Sequence, residues 1–166
     1  NAVEGIVERI DVALIGAGRM GQVHGTNAAT HPALRLKYVV DPRPEAAAAM
    51  AGRFDAQVAP LEQALADPSV AGVLVCSSTD QHLQHALAAV RAGKAVFCEK
   101  PIDLDLDKVR DAAAEFAGAR FQLGFNRRFD PHFRALRQRL LAGEIGTLET
   151  LHIVNHDPAA PPPGFV

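Results

Sequence analysis

The chain has no tryptophan, one tyrosine and two cysteines in 166 residues. With so few flat rings and a formal net charge of -2, it offers no basic, base-stacking surface for nucleic acid and no attraction to an anionic membrane. Cys76 and Cys98 form no CxxC pair, and both sit in apolar runs that read as buried strands, where a thiol is a small inert hydrophobe. Two such cysteines argue against a disulfide framework and for a reducing, cytoplasmic setting. No apolar run approaches the roughly 20 residues needed to span a bilayer. The acidic opening NAVEGIVERIDV does not read as a secretory signal. Because position 1 is Asn rather than Met, residues are expected to precede it. The seven histidines form no zinc pattern: His82 and His85 lie three apart, but no cysteine or carboxylate cluster joins them. A GxSxG nucleophile elbow is also lacking.

What is present is an ordinary soluble composition, 48% hydrophobic and 22% charged, on a chain long enough for one domain with a real core. Short apolar runs alternate with helical patterns. Strands are expected at 10–16, 34–40, 56–58, 71–78, 95–99 and 119–125. Helices are expected at 20–30, 44–54, 61–66, 80–92, 105–117 and 130–142, with Gly93 and Gly143 after two of them. This alternation predicts an α/β fold with a doubly wound parallel sheet of the Rossmann type. TLETLHIVNHD (147–157) then reads as a longer, half-polar strand, followed by a proline-rich loop. The expected organisation is an N-terminal extension (1–9), a dinucleotide-binding domain (10–146) and the first strand of a second α/β domain (147–166). That last strand, left without a partner, would present an aggregation-prone edge.

Gly16-Ala17-Gly18-Arg19-Met20-Gly21 is a GxGxxG that follows a predicted strand and opens a predicted helix. Gly16 permits the tight turn, Gly18 lets the backbone approach a pyrophosphate, and Gly21 lets the helix pack closely. The free N–H groups at that helix start, including those of Arg19 and Met20, favour an anion. Asp41 lies 20 residues after Gly21 at the end of the second strand, where a carboxylate suits the two ribose hydroxyls of adenosine. It would repel a 2′-phosphate, which favours NAD over NADP. Arg43 weakens that preference because it can pair with such a phosphate. Cys76-Ser77-Ser78-Thr79 ends the fourth strand, beside the crevice where open α/β sheets bind ligands, although Thr79 or Asp80 can equally cap the next helix. Glu99-Lys100-Pro101 ends the fifth. A lysine there can polarise a hydroxyl or carbonyl oxygen, and a cis Pro101 would help to aim it. The basic stretch 127–140 reads as a solvated helix face, with a subunit or substrate contact as the other reading.

Taken together, GAGRMG (16–21), VVDPRPEAA (39–47), SSTDQH (77–82), AGKAVFCEKP (92–101) and GFNRRFDP (124–131) resemble the glucose–fructose oxidoreductase and inositol dehydrogenase family, Gfo/Idh/MocA, in order and spacing. The tail NHDPAAPPPGF is similar to its inositol 2-dehydrogenase-like members. The resemblance implies a two-domain oxidoreductase. Its first domain binds NAD, and its second builds the polyol or sugar site and often the homo-oligomer interface. It implies that Lys100 contacts both substrate and nicotinamide as a catalytic residue. It places Ser77, Ser78, Thr79, His82 and Glu99 beside the cofactor, Asn126 and Arg127 at the nicotinamide and substrate entrance, and Asp157 facing substrate.

The sequence departs from the family in one respect. The Asp-and-His pair, usually DxxxH, that receives the substrate proton does not occur before Val166, and His152 and His156 do not fit its place. The 166-residue chain is therefore expected to bind NAD and yet be catalytically incomplete. The rival readings are a non-catalytic NAD-binding module or regulator, and a Rossmann-like methyltransferase using S-adenosylmethionine, against which the EKP motif and the six-strand pattern argue.

Overall fold

A computed structural model describes residues 9–156 and 159. The chain divides into two compact units between Phe125 and Asn126. The first unit alternates strand and helix throughout: β1 (Ile10–Ile15), α1 (Arg19–Thr30), β2 (Leu34–Val40), α2 (Pro44–Arg53), β3 (Gln57–Val58), α3 (Leu61–Ala66), β4 (Val70–Val75), α4 (Thr79–Arg91), β5 (Ala95–Cys98), α5 (Leu106–Phe116) and β6 (Phe121–Leu123). Its six strands form one sheet in the order β3-β2-β1-β4-β5-β6, and every pairing is parallel. The order reverses at β1, which pairs with β2 on one side and β4 on the other, and this opens a crevice at the carboxyl ends of β1 and β4.

β1 is buried from Asp11 to Ile15, and from Val12 onward it is a continuous apolar run rather than an alternating one, as a strand covered on both faces must be. One cluster holds Val12, Leu14, Ala28, Leu36 and Met50 and joins β1 and β2 to α1 and α2. A second holds Val73, Val75, Leu83, Val96, Cys98 and Ala112 and joins β4 and β5 to α4 and α5. Fully burying a side chain such as Leu14 stabilises the fold by about 1.5–3 kcal/mol relative to leaving it in water. Both cysteines are free and buried, as expected. Burial pushes the Cys98 thiol up to about 12 and raises that of Cys76 further, so neither is a nucleophile at neutral pH.

The amino ends of the strands carry a polar network. The buried Asp11 accepts from Arg35 Nε (2.6 Å) and Nη2 (2.5 Å) and from Ser69 Oγ (3.2 Å). Asp67 accepts from Lys37 Nζ (2.6 Å) and the Tyr38 hydroxyl (2.9 Å), and its carbonyl accepts from Lys94 Nζ (2.7 Å). The network binds β1, β2 and the loops before β4 and β5 at the end of the sheet away from the crevice.

The second unit contains a 3-10 turn at Asn126–Phe129, which the sequence reading did not anticipate, and α6 (Pro131–Leu141). Asp130 caps α6 as expected and accepts from His132 N (2.8 Å) and Phe133 N (3.2 Å). The expected strand at 147–157 is not formed: residues 147–156 carry neither helix nor strand. Alternating side chains alone do not make a strand. The main-chain N–H and C=O groups need a ladder partner, and no described segment pairs with these residues. The edge that this strand would have presented is accordingly absent among the described residues. Asp157 lies outside them.

Candidate dinucleotide site

The glycine turn is enforced by space. Gly16 has φ +95°, and a Cβ on it would stand 2.4 Å from the Cys76 carbonyl oxygen. A Cβ on Gly21 would stand 1.9 Å from the Gly16 carbonyl oxygen, so the first turn of α1 sits directly on the fingerprint loop. The close approach of α1 to the sheet falls one turn later. At Gly25 a Cβ would meet Leu14 Cδ2 at 3.0 Å and Met50 Sδ at 3.3 Å. Sequence reasoning missed Gly25; its signal was a glycine four residues after Gly21, on the same helix face. Gly18 differs from all three, since the nearest atom to its Cβ position is the Arg43 guanidinium at 3.9 Å. The space above Gly18 is therefore open to a ligand. Gly18 is also the N-cap of α1, with no side-chain cap and no acidic residue in the first turn, so the helix start offers free N–H groups and positive dipole to an anion.

A crevice of about 900 Å³ lies over this turn. Gly16, Gly18, Arg19 and Met20 form one wall and Asp41 and Arg43 a second, while Ser77 and Ser78 contribute from the end of β4. Gly21, Thr79, His82, Glu99 and Lys100 do not line it. Asn126 and Arg127 belong to the second unit. There both are exposed, and Arg127 Nη2 donates to Asn155 Oδ1 at 3.0 Å. Gln81 and His85, one turn apart on α4, do line the crevice and were not among the expected residues. Their i, i+4 spacing was the available signal.

Asp41 closes one end of the crevice. Its carboxylate accepts from Ala17 N (2.7 Å) and from Arg43 N (2.9 Å), Nε (3.0 Å) and Nη2 (3.1 Å). Burial pushes this carboxyl up, but the Arg43 and Ala17 hydrogen bonds outweigh it and hold Asp41 below its ordinary value, so it is ionised at neutral pH.

The two histidines of α4 divide their roles by position. His82 is buried, with Nδ1 2.7 Å from the Pro101 carbonyl and Nε2 2.9 Å from the Ser77 carbonyl. It thereby joins the end of β4 to the loop after β5. His85 places Nδ1 2.9 Å from Ser77 Oγ, and burial, followed by the neighbouring His82, lowers its pKa. The N-cap of α4 is Ser78, with Thr79 and Asp80 inside the first turn, so neither of those two is the cap that the sequence reading allowed for.

Glu99 is buried, and its Oε1 lies 2.6 Å from His24 Nε2 on α1, while its Oε2 accepts from the Lys100 N–H at 3.2 Å. It ties β5 to α1. The Lys100 side chain is exposed just beyond β5, and the Lys100–Pro101 peptide is cis. Among the described residues, no group of three or more His, Cys, Asp or Glu is placed to hold a metal ion.

Residues 10–125 match the family described as an oxidoreductase family with an NAD-binding Rossmann fold, Gfo/Idh/MocA. The chain is 41% identical over 155 residues to inositol 2-dehydrogenase of Rhizobium meliloti, covering 92% of this chain and 47% of that protein. It is 36% identical over 159 residues to myo-inositol 2-dehydrogenase of Thermotoga maritima, covering 93% and 48%. The chain thus spans about half the length of the curated relatives it matches. Among solved structures it superposes on a myo-inositol dehydrogenase from Corynebacterium glutamicum with a TM-score of 0.79 at 38% identity, covering 85% of this chain and 43% of that one. The scyllo-inositol dehydrogenase from Lactobacillus casei, solved with NAD(H) and scyllo-inositol bound, gives 0.78 at 30%, covering 84% and 43%. The order of the strands, the glycine turn and these matches agree: the chain belongs to the Gfo/Idh/MocA oxidoreductase family and carries that family's NAD-binding Rossmann fold.

Proposed function

We propose that this chain is the cofactor-binding part of an NAD-dependent dehydrogenase that oxidises a polyol or sugar hydroxyl, of the inositol type, to a ketone. The observation that carries the reading is the crevice, which has an uncapped helix start at Gly18 on one side and an ionised Asp41 on the other. The first suits a pyrophosphate and the second a ribose diol. The negative charge of Asp41 favours NAD over NADP. The names of the relatives support the inositol class of substrate.

In this reading Gly16, Gly18, Arg19, Met20 and Gly21 build the pyrophosphate turn. Asp41 and Arg43 bound the adenosine end, and Ser77, Ser78, Thr79 and His82 shape the nicotinamide side. Bound NAD supplies the hydride acceptor. The Lys100 ammonium stabilises negative charge developing on the substrate oxygen, and Glu99 fixes the backbone that carries it. Asn126 and Arg127 border the substrate entrance, and residues 147–166, including Asp157, contribute to a substrate domain. In this reading the substrate proton is taken by an Asp–His pair of the family's DxxxH type, a pattern that residues 1–166 do not contain. A cytoplasmic homo-oligomer is the expected form of the whole protein. No helix among the described residues is long and apolar enough to cross a membrane.

The test is calorimetric titration of the chain with NAD and with NADP. Binding of NAD in preference to NADP, abolished by Asp41→Ala, is expected. A folded chain that binds neither nucleotide would overturn the reading.

A further inference from the structure

The carboxylate that a dinucleotide needs is already occupied. The Asp41 side chain is only 3% exposed, and four donors converge on its two oxygens. A carboxylate offers about four acceptor sites, so the set is full and a ribose diol finds none free. Two of the donors are main-chain N–H groups, of Ala17 and Arg43, set by the Gly16 turn and by Pro42. They stay with the fold. The other two belong to the Arg43 guanidinium, whose side chain is 62% exposed and lines the crevice. Its Nη2 also lies 3.9 Å from the Cβ position of Gly18, so it spans the distance from the ribose carboxylate to the floor of the pyrophosphate site.

We propose that Arg43 is a latch on Asp41. Its guanidinium covers the carboxylate edge that the adenosine ribose requires, and it must leave that edge when a dinucleotide enters. The proposal rests on the dinucleotide reading above and adds a specificity-determining residue to it. An incoming NAD displaces the guanidinium and leaves it in solvent, so Arg43 weakens NAD binding. An incoming NADP gives the displaced guanidinium a 2′-phosphate as a new partner, in a planar fork suited to phosphate oxygens. That pairing offsets the repulsion between the phosphate and Asp41, so Arg43 strengthens NADP binding. The same side chain therefore narrows the discrimination that Asp41 alone would impose.

The signature is a crossed effect. In titrations of the 166-residue chain with NAD and NADP, Arg43→Ala is expected to tighten NAD roughly threefold to fivefold, the upper range for an exposed ion pair. The same change is expected to weaken NADP about tenfold or more, the loss of a charged hydrogen-bonded partner. Arg43→Lys keeps the charge without the fork and should fall between Ala and wild type for both nucleotides. If Arg43→Ala weakens NAD, the guanidinium belongs to the bound state and the latch is refuted. Unchanged affinity for both nucleotides also refutes it. Failure of the reading beneath looks different: the wild-type chain would bind neither nucleotide, or Asp41→Ala would leave NAD affinity intact.

Discussion

Gly21→Ala and Gly18→Ala, three residues apart, should fail in opposite ways. The added methyl at Gly21 meets the Gly16 carbonyl oxygen at 1.9 Å, so that oxygen must retreat by about 1.5 Å to reach an ordinary contact. It has little freedom to do so. Gly16 N donates to Val40 O at 2.7 Å, and Ala17 N donates to Asp41 at 2.7 Å. On the other side Gly16 is pressed against the Cys76 carbonyl. Forcing the loop open combines an overpacking cost of about 1–3 kcal/mol with a lost hydrogen bond of about 1 kcal/mol. Alanine's better helix propensity recovers up to about 1 kcal/mol. A net loss of about 2–3 kcal/mol is expected, which lowers a urea midpoint by roughly 1–2 M. Gly18→Ala meets only the movable end of Arg43, and its φ of -74° is open to any residue. Its midpoint should match wild type while NAD affinity falls at least tenfold, because the methyl fills the space that the pyrophosphate needs. Urea unfolding followed by circular dichroism, paired with NAD titration, separates the two losses. A Gly21→Ala midpoint equal to wild type, or an equal destabilisation from Gly18→Ala, would refute the steric reasoning.

Three further outcomes follow from the polar networks. Asp11→Ala leaves the Arg35 guanidinium without its bidentate partner and Ser69 without an acceptor, and should cost about 2–3 kcal/mol in urea unfolding; a loss below 0.5 kcal/mol (~) would show that the network is incidental. The Arg35 hydrogen bond holds the Asp11 carboxyl, and the Lys37 hydrogen bond the Asp67 carboxyl, below the ordinary carboxylate range. A depressed carboxyl contributes stability above its unfolded value and loses it as pH falls through the folded one, so stability should drop from about pH 4 downward. Asp11→Asn should flatten that acid limb in a pH series of melting curves, and an unchanged slope would assign the loss elsewhere. His82→Ala removes the imidazole that hydrogen-bonds the Pro101 and Ser77 carbonyls. It should cost about 1–3 kcal/mol and speed amide exchange at Lys100, whereas unchanged exchange there would deny that His82 holds the loop.

Most elements of the first unit were legible because their signals are local. The run LRLKYVV and strand β2 share both ends, as do the expected and observed limits of α3, and in the second unit Asp130 and Pro131 announced α6 by their capping chemistry. The segment 147–157 misled because its alternation describes one face of a strand without naming a partner. Within the site, Gly16, Gly18, Asp41 and Ser77 were legible from their places at strand ends. His82 and His85 were not distinguishable from spacing alone. Both lie on α4, and only its rotation against the sheet buries the first and turns the second to the crevice.

The amino-acid sequence by itself determined the alternation of strand and helix, the glycine turn that starts α1, and the acidic residue at the end of β2. Each of these is encoded within about 20 residues by periodicity, turn chemistry and spacing. Only the tertiary structure decided the occupants of the polar groups: Arg43 on Asp41, His24 on Glu99, and His82 between the Ser77 and Pro101 carbonyls. Apart from Arg43, which reaches back across Pro42, these pairings join different elements. They depend on how parallel strands register and how helices rotate onto them, which is set by packing across the whole sheet and not by any local run of residues.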